Sequence, residues 1–215
     1  MIKGWGEPAG NATRVILVRH GEVSDKERTV LYGSMDVRLS PRGLSQTRRT
    51  AMVLAELPIS KILSSDLVRA RTLAEELATT TSTPHLATKA LRERSFGEWQ
   101  GLPMRELVEN HRAEYDAYIA RRWEARVSPG AENFADVTKR VIPVVLDAIN
   151  EFQGGTIVIV AHSGPIRAIL QEALMLPGEA LFRLRLNYCS LSIVDYFPDG
   201  ERILDRLNDT AHLDD

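Results

Sequence analysis

Two stretches of this chain share one pattern, and that pattern narrows the fold to few options. Val15-Ile16-Leu17-Val18 runs into Arg19-His20-Gly21-Glu22, and Thr156-Ile157-Val158-Ile159-Val160-Ala161 runs into His162-Ser163-Gly164. Continuous apolar runs rich in β-branched residues, without alternation, read as strands buried on both faces. Such strands belong to α/β sheets covered by helices, where ligands sit at the carboxyl ends of the strands. Parallel neighbours would therefore bring both imidazoles to one rim. The glycine after each histidine lets the backbone turn sharply or approach a ligand closely.

The remaining segments supply the helices. Ser40-Pro41 is a favoured helix start, with Leu44, Thr47, Ala51 and Leu54 on one face and Pro58 as the stop. Residues 59–63 read as a short strand, Ser64-Ser65-Asp66 as a cap, and the next helix turns Leu67, Ala70, Leu73, Ala74 and Leu77 inward. Arg69 lies in that helix's first turn. Residues 79–83 read as a polar break, 84–91 as a short strand or extended segment, and 92–101 as an ordered loop. Residues 103–124 look like charged helices with a thin stripe of Leu107, Tyr115, Ile119 and Trp123, suited to a lid over the strand ends. Phe134 to Phe152 marks an amphipathic helix bent at Pro143 and stopped by Gly154-Gly155. A helix opened by Pro165 turns Ile166, Ile169, Leu170 and Ala173 inward. A last strand runs from Leu191 to Phe197, followed by a turn at Pro198-Asp199-Gly200. Strands alternating with helices make an α/β fold. The expected layout is a loose, flexible leader over 1–13, then one domain over 14–215 with a helical cap inserted at about 102–130.

A formal net charge of −2 argues against a general nucleic-acid or membrane-surface binder, so any phosphate site must come from a local cluster of cations. Cys189 is the single cysteine, which excludes an internal disulfide and makes a thiolate zinc site implausible. The start has no apolar targeting segment and no apolar run reaches membrane length, which makes a cytoplasmic location the expectation.

Two imidazoles and two guanidiniums around one rim suit phosphate chemistry, because Arg offers paired planar donors matched to phosphate oxygens. His20 reads as the nucleophile, and Arg19 and Arg69 as the anion clamp. Their charges disfavour the imidazolium and keep His20 able to attack. Attack on phosphorus would form a phosphohistidine, and the leaving alkoxide needs a proton. Glu93 is the preferred acid, with Glu98 as the alternative. A bound dianion would favour its protonated form, and the same carboxylate would then activate water. His162, if cationic, would stabilise the equatorial oxygens of the transition state.

These residues resemble the histidine phosphatase superfamily, the phosphoglycerate-mutase-like fold. The resemblance rests on Arg19-His20-Gly21-Glu22; on Gly33, Asp36, Leu39, Ser40, Gly43 and Gln46; and on Ser64-Ser65-Asp66-Leu67-Val68-Arg69-Ala70. It continues through Leu91-Arg92-Glu93 to Gly101, Pro129-Gly130-Ala131-Glu132, and Ala161-His162-Ser163-Gly164-Pro165-Ile166-Arg167. It implies a three-layer α/β/α fold with a mostly parallel central sheet, no metal and no cofactor. It makes His20 the phosphorylated residue and Glu93 the proton donor, with Arg19, Arg69 and His162 forming the phosphate pocket and Ser163 and Gly33 beside it. The compact cap is most similar to the bacterial phosphatase branch, which includes α-ribazole and broad-specificity phosphatases. The short segment before the second histidine disfavours a mutase.

Some positions depart from that pattern. Val23 and Lys26 stand where Thr and Asn are frequent, so a phosphate contact is either lost or replaced by the point charge of Lys26. Thr72-Leu73 stands where Gln-Thr is common. The expected activity is hydrolysis of a small phosphomonoester, with a phosphoglycerate-type mutase and a non-catalytic phosphate-binding or scaffolding protein as alternatives. The partner is that small molecule alone, with a homodimer as an open option. Arg121 or Arg122 in the cap could reach the substrate. His85, His111 and His212 carry no motif and read as structural.

Overall fold

In a computed structural model, which describes residues 8–213, the two apolar runs form adjacent strands. β1 (Thr13–Arg19) and β4 (Thr156–Ala161) pair in parallel, with Arg19 opposite Ala161. Both histidines therefore leave the sheet at the same end of neighbouring strands. β2 (Ile59–Ser65) joins β4 in parallel and β3 (His85–Thr88) joins β2. β5 (Leu191–Tyr196) and β6 (Arg202–Asp209) add antiparallel on the other side of β1. Among the described residues these six strands make one sheet in the order β3-β2-β4-β1-β5-β6.

Helices cover both faces. α2 (Pro41–Leu54) and α3 (Val68–Thr81) pack with Ile16, Val18, Val158 and Val160. α6 (Phe134–Glu151) and α7 (Ser163–Leu174) pack with Val15, Leu17, Ile157 and Ile159. Alternate residues of the same two strands thus fill opposite cores, which is why the apolar runs show no alternation. The architecture is the three-layer α/β/α fold with a mostly parallel sheet. α1 (Asp25–Arg28), α4 (Met104–Asn110) and α5 (Arg112–Ala120) lie in the connections. No described helix is long and apolar enough to cross a membrane.

Several local expectations are corrected. Residues 1–7 of the leader lie outside the described residues; of the rest, Ala12 is buried and Thr13 already belongs to β1. Leu44 is exposed, and Gly43, Thr47, Thr50, Ala51 and Leu54 form the buried face of α2, which ends at Leu54 before Pro58 is reached. Ser64 and Ser65 belong to β2. Of the expected cap, Ser65 Oγ accepts from the Leu67 N–H at 3.2 Å, and the Val68 N–H is taken from outside it, by Asp36 Oδ1 at 2.8 Å.

The polar break begins later than its composition suggests. α3 continues to Thr81, with the hydroxyls of Thr79, Thr80 and Thr81 satisfied on carbonyls four residues back, and it stops where Ser82 turns left-handed at φ 55°. α6 runs from Phe134 to Glu151 with Pro143 inside it. Leu191–Tyr196 is not the last strand: β6 follows as an alternating edge strand, exposing Ile203 and Leu207 and turning Leu204 inward.

Candidate active site

His20 continues the β1 ladder by one residue, its N–H donating to the Ala161 carbonyl at 3.0 Å. Gly21 follows because a Cβ there would stand 2.5 Å from the Gly43 carbonyl oxygen, at the start of α2. His20 Nδ1 lies 2.7 Å from the Gly21 carbonyl oxygen. A carbonyl only accepts, so Nδ1 carries the hydrogen and Nε2 of the neutral ring keeps its lone pair. Burial holds the His20 pKa well below the usual imidazole value. Arg69 and then Arg19 push the same way, against the Gly21 hydrogen bond.

His162 stands beside it, with ring centroids 5.0 Å apart. Arg69 Nε donates to His162 Nδ1 at 3.2 Å. Nδ1 is therefore the lone-pair nitrogen, and the neutral ring carries its hydrogen on Nε2, which is buried with no hydrogen-bond partner. Burial, then Arg69, His20 and Arg19, hold this imidazole neutral. The cationic His162 that the residue pattern allows is thus corrected for the free protein: the ring offers an N–H donor, not a charge.

Arg69 has no exposed surface and is fixed by two further hydrogen bonds, from Nη1 to the Met35 carbonyl (2.6 Å) and from Nη2 to the Gly33 carbonyl (2.7 Å). Gly33 has a left-handed φ of 42°. A Cβ there would come within 2.6 Å of Gln100 Oε1 and 2.7 Å of Phe96, so the loop that takes Arg69 needs glycine at this position. Arg19 donates from Nη1 to the Leu186 carbonyl at 2.6 Å.

Glu93 approaches from the loop after β3. Its Oε1 accepts from the Arg94 N–H at 2.8 Å and the Gly164 N–H at 3.0 Å, and its Oε2 accepts from the Ser163 hydroxyl at 2.9 Å. A side chain on residue 164 would overlap Glu93 Oε1, so Gly164 admits the carboxylate to the start of α7. The loop itself is held by Arg140 of α6, which bonds the carbonyls of Ala90 and Arg92 and pairs with Glu132 at 2.7 Å. Glu132 in turn accepts from the Ser95 N–H at 2.8 Å.

A cavity of about 230 Å³ opens beside these groups, lined by Arg19, Gly33, Glu93 and Ser163 and walled by Tyr32, Phe96, Tyr118, Phe134, Arg167 and Phe182. Of the expected site residues, the structure gathers Arg19, His20, Gly33, Arg69, Glu93, His162 and Ser163 and leaves Lys26 outside. Lys26 is exposed on α1 and lines neither this cavity nor the larger one next to Arg19. Glu98 sits on a 3₁₀ turn outside the cavity lining, its N–H donating to Ser128.

The cap stripe is corrected as well. Ile119 is exposed, and Tyr118, one position earlier, lines the cavity. Arg94 carries no sequence signal, yet it is buried and donates to the carbonyls of Arg122, Ala125 and Glu132, tying the cap to the acid loop. No sequence pattern marks an arginine whose partners are distant backbone carbonyls. Arg122 stacks on Phe182 at 5.5 Å, at the edge of the chamber. His85 bonds Ser64 and His212 bonds Thr50, away from the site.

Neighbouring parallel strands that end in two imidazoles and an arginine, with a second arginine from α3 after β2, place two rings and two cations at the strand ends of an α/β/α domain. The chain belongs to the histidine phosphatase superfamily (branch 1), whose family model matches residues 15–210. It is 33% identical over 214 residues to a bifunctional protein of Mycobacterium tuberculosis, covering 98% of this chain and 57% of that protein, so it spans little more than half of that relative's length. It is 28% identical over 200 residues to the adenosylcobalamin/alpha-ribazole phosphatase of Salmonella typhimurium, covering 92% of this chain and 97% of that protein. Among solved structures it resembles a mycobacterial glucosyl-3-phosphoglycerate phosphatase with TM-score 0.83 and 28% identity, covering 93% of this chain and all (100%) of that one.

Proposed function

We propose that this chain is a phosphomonoester hydrolase that acts on a small phosphorylated metabolite through a phosphohistidine on His20, without metal or cofactor. One observation carries the reading: a neutral His20, its Nδ1 bound to the Gly21 carbonyl, has its ring centroid 5.0 Å from that of His162 and feels the charges of Arg69 and Arg19. The ring is a nucleophile whose neighbours are all suited to an anion. Nε2 attacks phosphorus and the P–O bond to the alcohol breaks. Arg19, Arg69 and the His162 N–H neutralise charge on the equatorial oxygens, where preorganised donors contribute most. Glu93 gives its proton to the leaving oxygen, and its carboxylate then takes a proton from the water that attacks phosphohistidine, which returns His20. Ser163 and the Gly164 N–H aim that carboxylate. The names of the Salmonella and mycobacterial relatives support hydrolysis.

The test is turnover of an aryl phosphate with EDTA present. Release of phosphate that is abolished in His20→Ala supports the reading; absent turnover supports a binding protein on this fold. With 3-phosphoglycerate and 2,3-bisphosphoglycerate, interconversion faster than phosphate release would instead identify a mutase. Lys26→Gln raises KM if Lys26 contacts phosphate and leaves it unchanged if Lys26 is a solvated charge. A screen of sugar phosphates, phosphoserine, phosphoglycerates and α-ribazole phosphate identifies the ester.

A further inference from the structure

The two arginines of the site are held in different ways. Arg69 is fixed by hydrogen bonds from Nε, Nη1 and Nη2. Among the described residues Arg19 donates only from Nη1, and its Nε is buried without a hydrogen-bond partner. A long side chain with one anchoring hydrogen bond can swing. It also has somewhere to go. Arg19 lines a second, polar cavity of about 580 Å³, whose lining also includes Glu22, an anion that accepts from the Ser40 hydroxyl and pairs with Arg28 at 3.2 Å.

Besides that one hydrogen bond, Arg19 meets an aromatic ring. Its guanidinium carbon lies 4.1 Å from the centroid of Tyr188, well inside the roughly 6 Å reach of a cation–π contact. The matching pair, Arg69 over Tyr32, is looser at 5.2 Å. The turn that carries Tyr188 is bonded to the nucleophile's own strand end. The Cys189 N–H donates to the Arg19 and His20 carbonyls at 3.0 and 3.2 Å, and the Arg19 N–H donates to the Ser190 carbonyl at 3.2 Å. Cys189 turns left-handed at φ 52° to make this possible. The Tyr188 ring lies 5.6 Å from the His20 ring.

We propose that Tyr188 is a positioning residue: its ring holds the Arg19 guanidinium against the phosphate site, keeps Nε free for a phosphoryl oxygen, and bars the swing toward Glu22. The proposal rests on the phosphomonoesterase reading above. It does not extend equally to Tyr32, because Arg69 is fixed three times over without its ring.

The experiment measures the dissociation constant of inorganic phosphate by calorimetry, with KM and kcat for an aryl phosphate alongside. Tyr188→Leu should weaken phosphate binding about three- to ten-fold. Tyr188→Phe, which keeps the ring, should stay within about two-fold, and Tyr32→Leu should have a smaller effect than Tyr188→Leu. A purely structural role would lower the melting temperature and the active fraction but leave the dissociation constant of the folded protein unchanged. If Tyr188→Leu does not fold, Tyr188→Met fills similar space without a π face. Wild-type affinity in Tyr188→Leu or Tyr188→Met overturns the proposal, as does equal weakening by Phe and Leu. A wild-type protein that neither binds phosphate nor hydrolyses the ester overturns the functional reading itself, a result distinct from either.

Discussion

The ends of β1 and β4 and the cap over them are built by opposite means. The strand ends are set in apolar cores on both faces: every residue of β4 is buried, and so is every residue of β1 except Arg19. The cap has almost no core. α4 buries Leu107 alone, and α5 buries nothing. It is held instead by the Arg94 guanidinium, by the Phe134 N–H bonded to the Trp123 carbonyl, and by the Val30–Pro103 bridge. On the proposed reading, the groups that must stay fixed to react come from the rigid half. On the same reading, the groups that would meet the variable part of a substrate, such as Tyr118, lie in the half with few buried contacts, where local opening is easiest.

That contrast can be broken first at the nucleophile. His20→Ala should lower turnover on the order of 10⁴-fold or more for every substrate, with the fold intact. Glu93→Gln should cost about 10²- to 10⁴-fold on an alkyl ester and much less on a nitrophenyl ester, whose leaving group needs no proton. Comparing the two esters separates the acid from general damage. In the cap, Tyr118→Ala should raise KM for bulky esters by a few fold and leave inorganic phosphate binding unchanged, as shown by inhibition constants. Arg94→Met orphans three carbonyls. It should cost roughly 3 kcal/mol and speed proteolysis within 112–126 before the sheet unfolds.

Stability should also depend on pH in a defined direction. Both imidazoles have folded-state pKa values depressed below the unfolded value of about 6.5. Below that pH the unfolded chain binds more protons. Their contribution is therefore fully present above about pH 6.5 and falls on acidification by about 1.4 kcal/mol per pH unit for each imidazole. Denaturant melts of the protein and of His162→Phe, which lacks one of the two groups, should differ in this slope.

Legibility in the sequence divides along the same line as the architecture. The two histidine-bearing strand ends are readable because two uniform apolar runs each terminate in histidine, and burial on both faces leaves that signature. The Arg69 position followed from its place in the first turn after β2. The cap's register was not readable. In α5 Ile119 is exposed and Tyr118 serves the cavity, because no core enforces a helical stripe there. Arg94, Arg140 and Tyr188 were also invisible, since backbone carbonyls and ring faces are partners that leave no spacing. β6 was missed because its inward positions hold Arg202, Arg206 and Asn208 beside Leu204, so its alternation is not one of hydrophobicity.

The account turns on a phosphoryl group carried by one imidazole, and mass spectrometry of peptides from an alkaline quench during turnover addresses it directly. The account predicts one added phosphoryl group on the peptide containing His20, absent in His20→Ala and accumulating in Glu93→Gln with an activated ester. Steady turnover with no labelled peptide, or a label on His162, would contradict it.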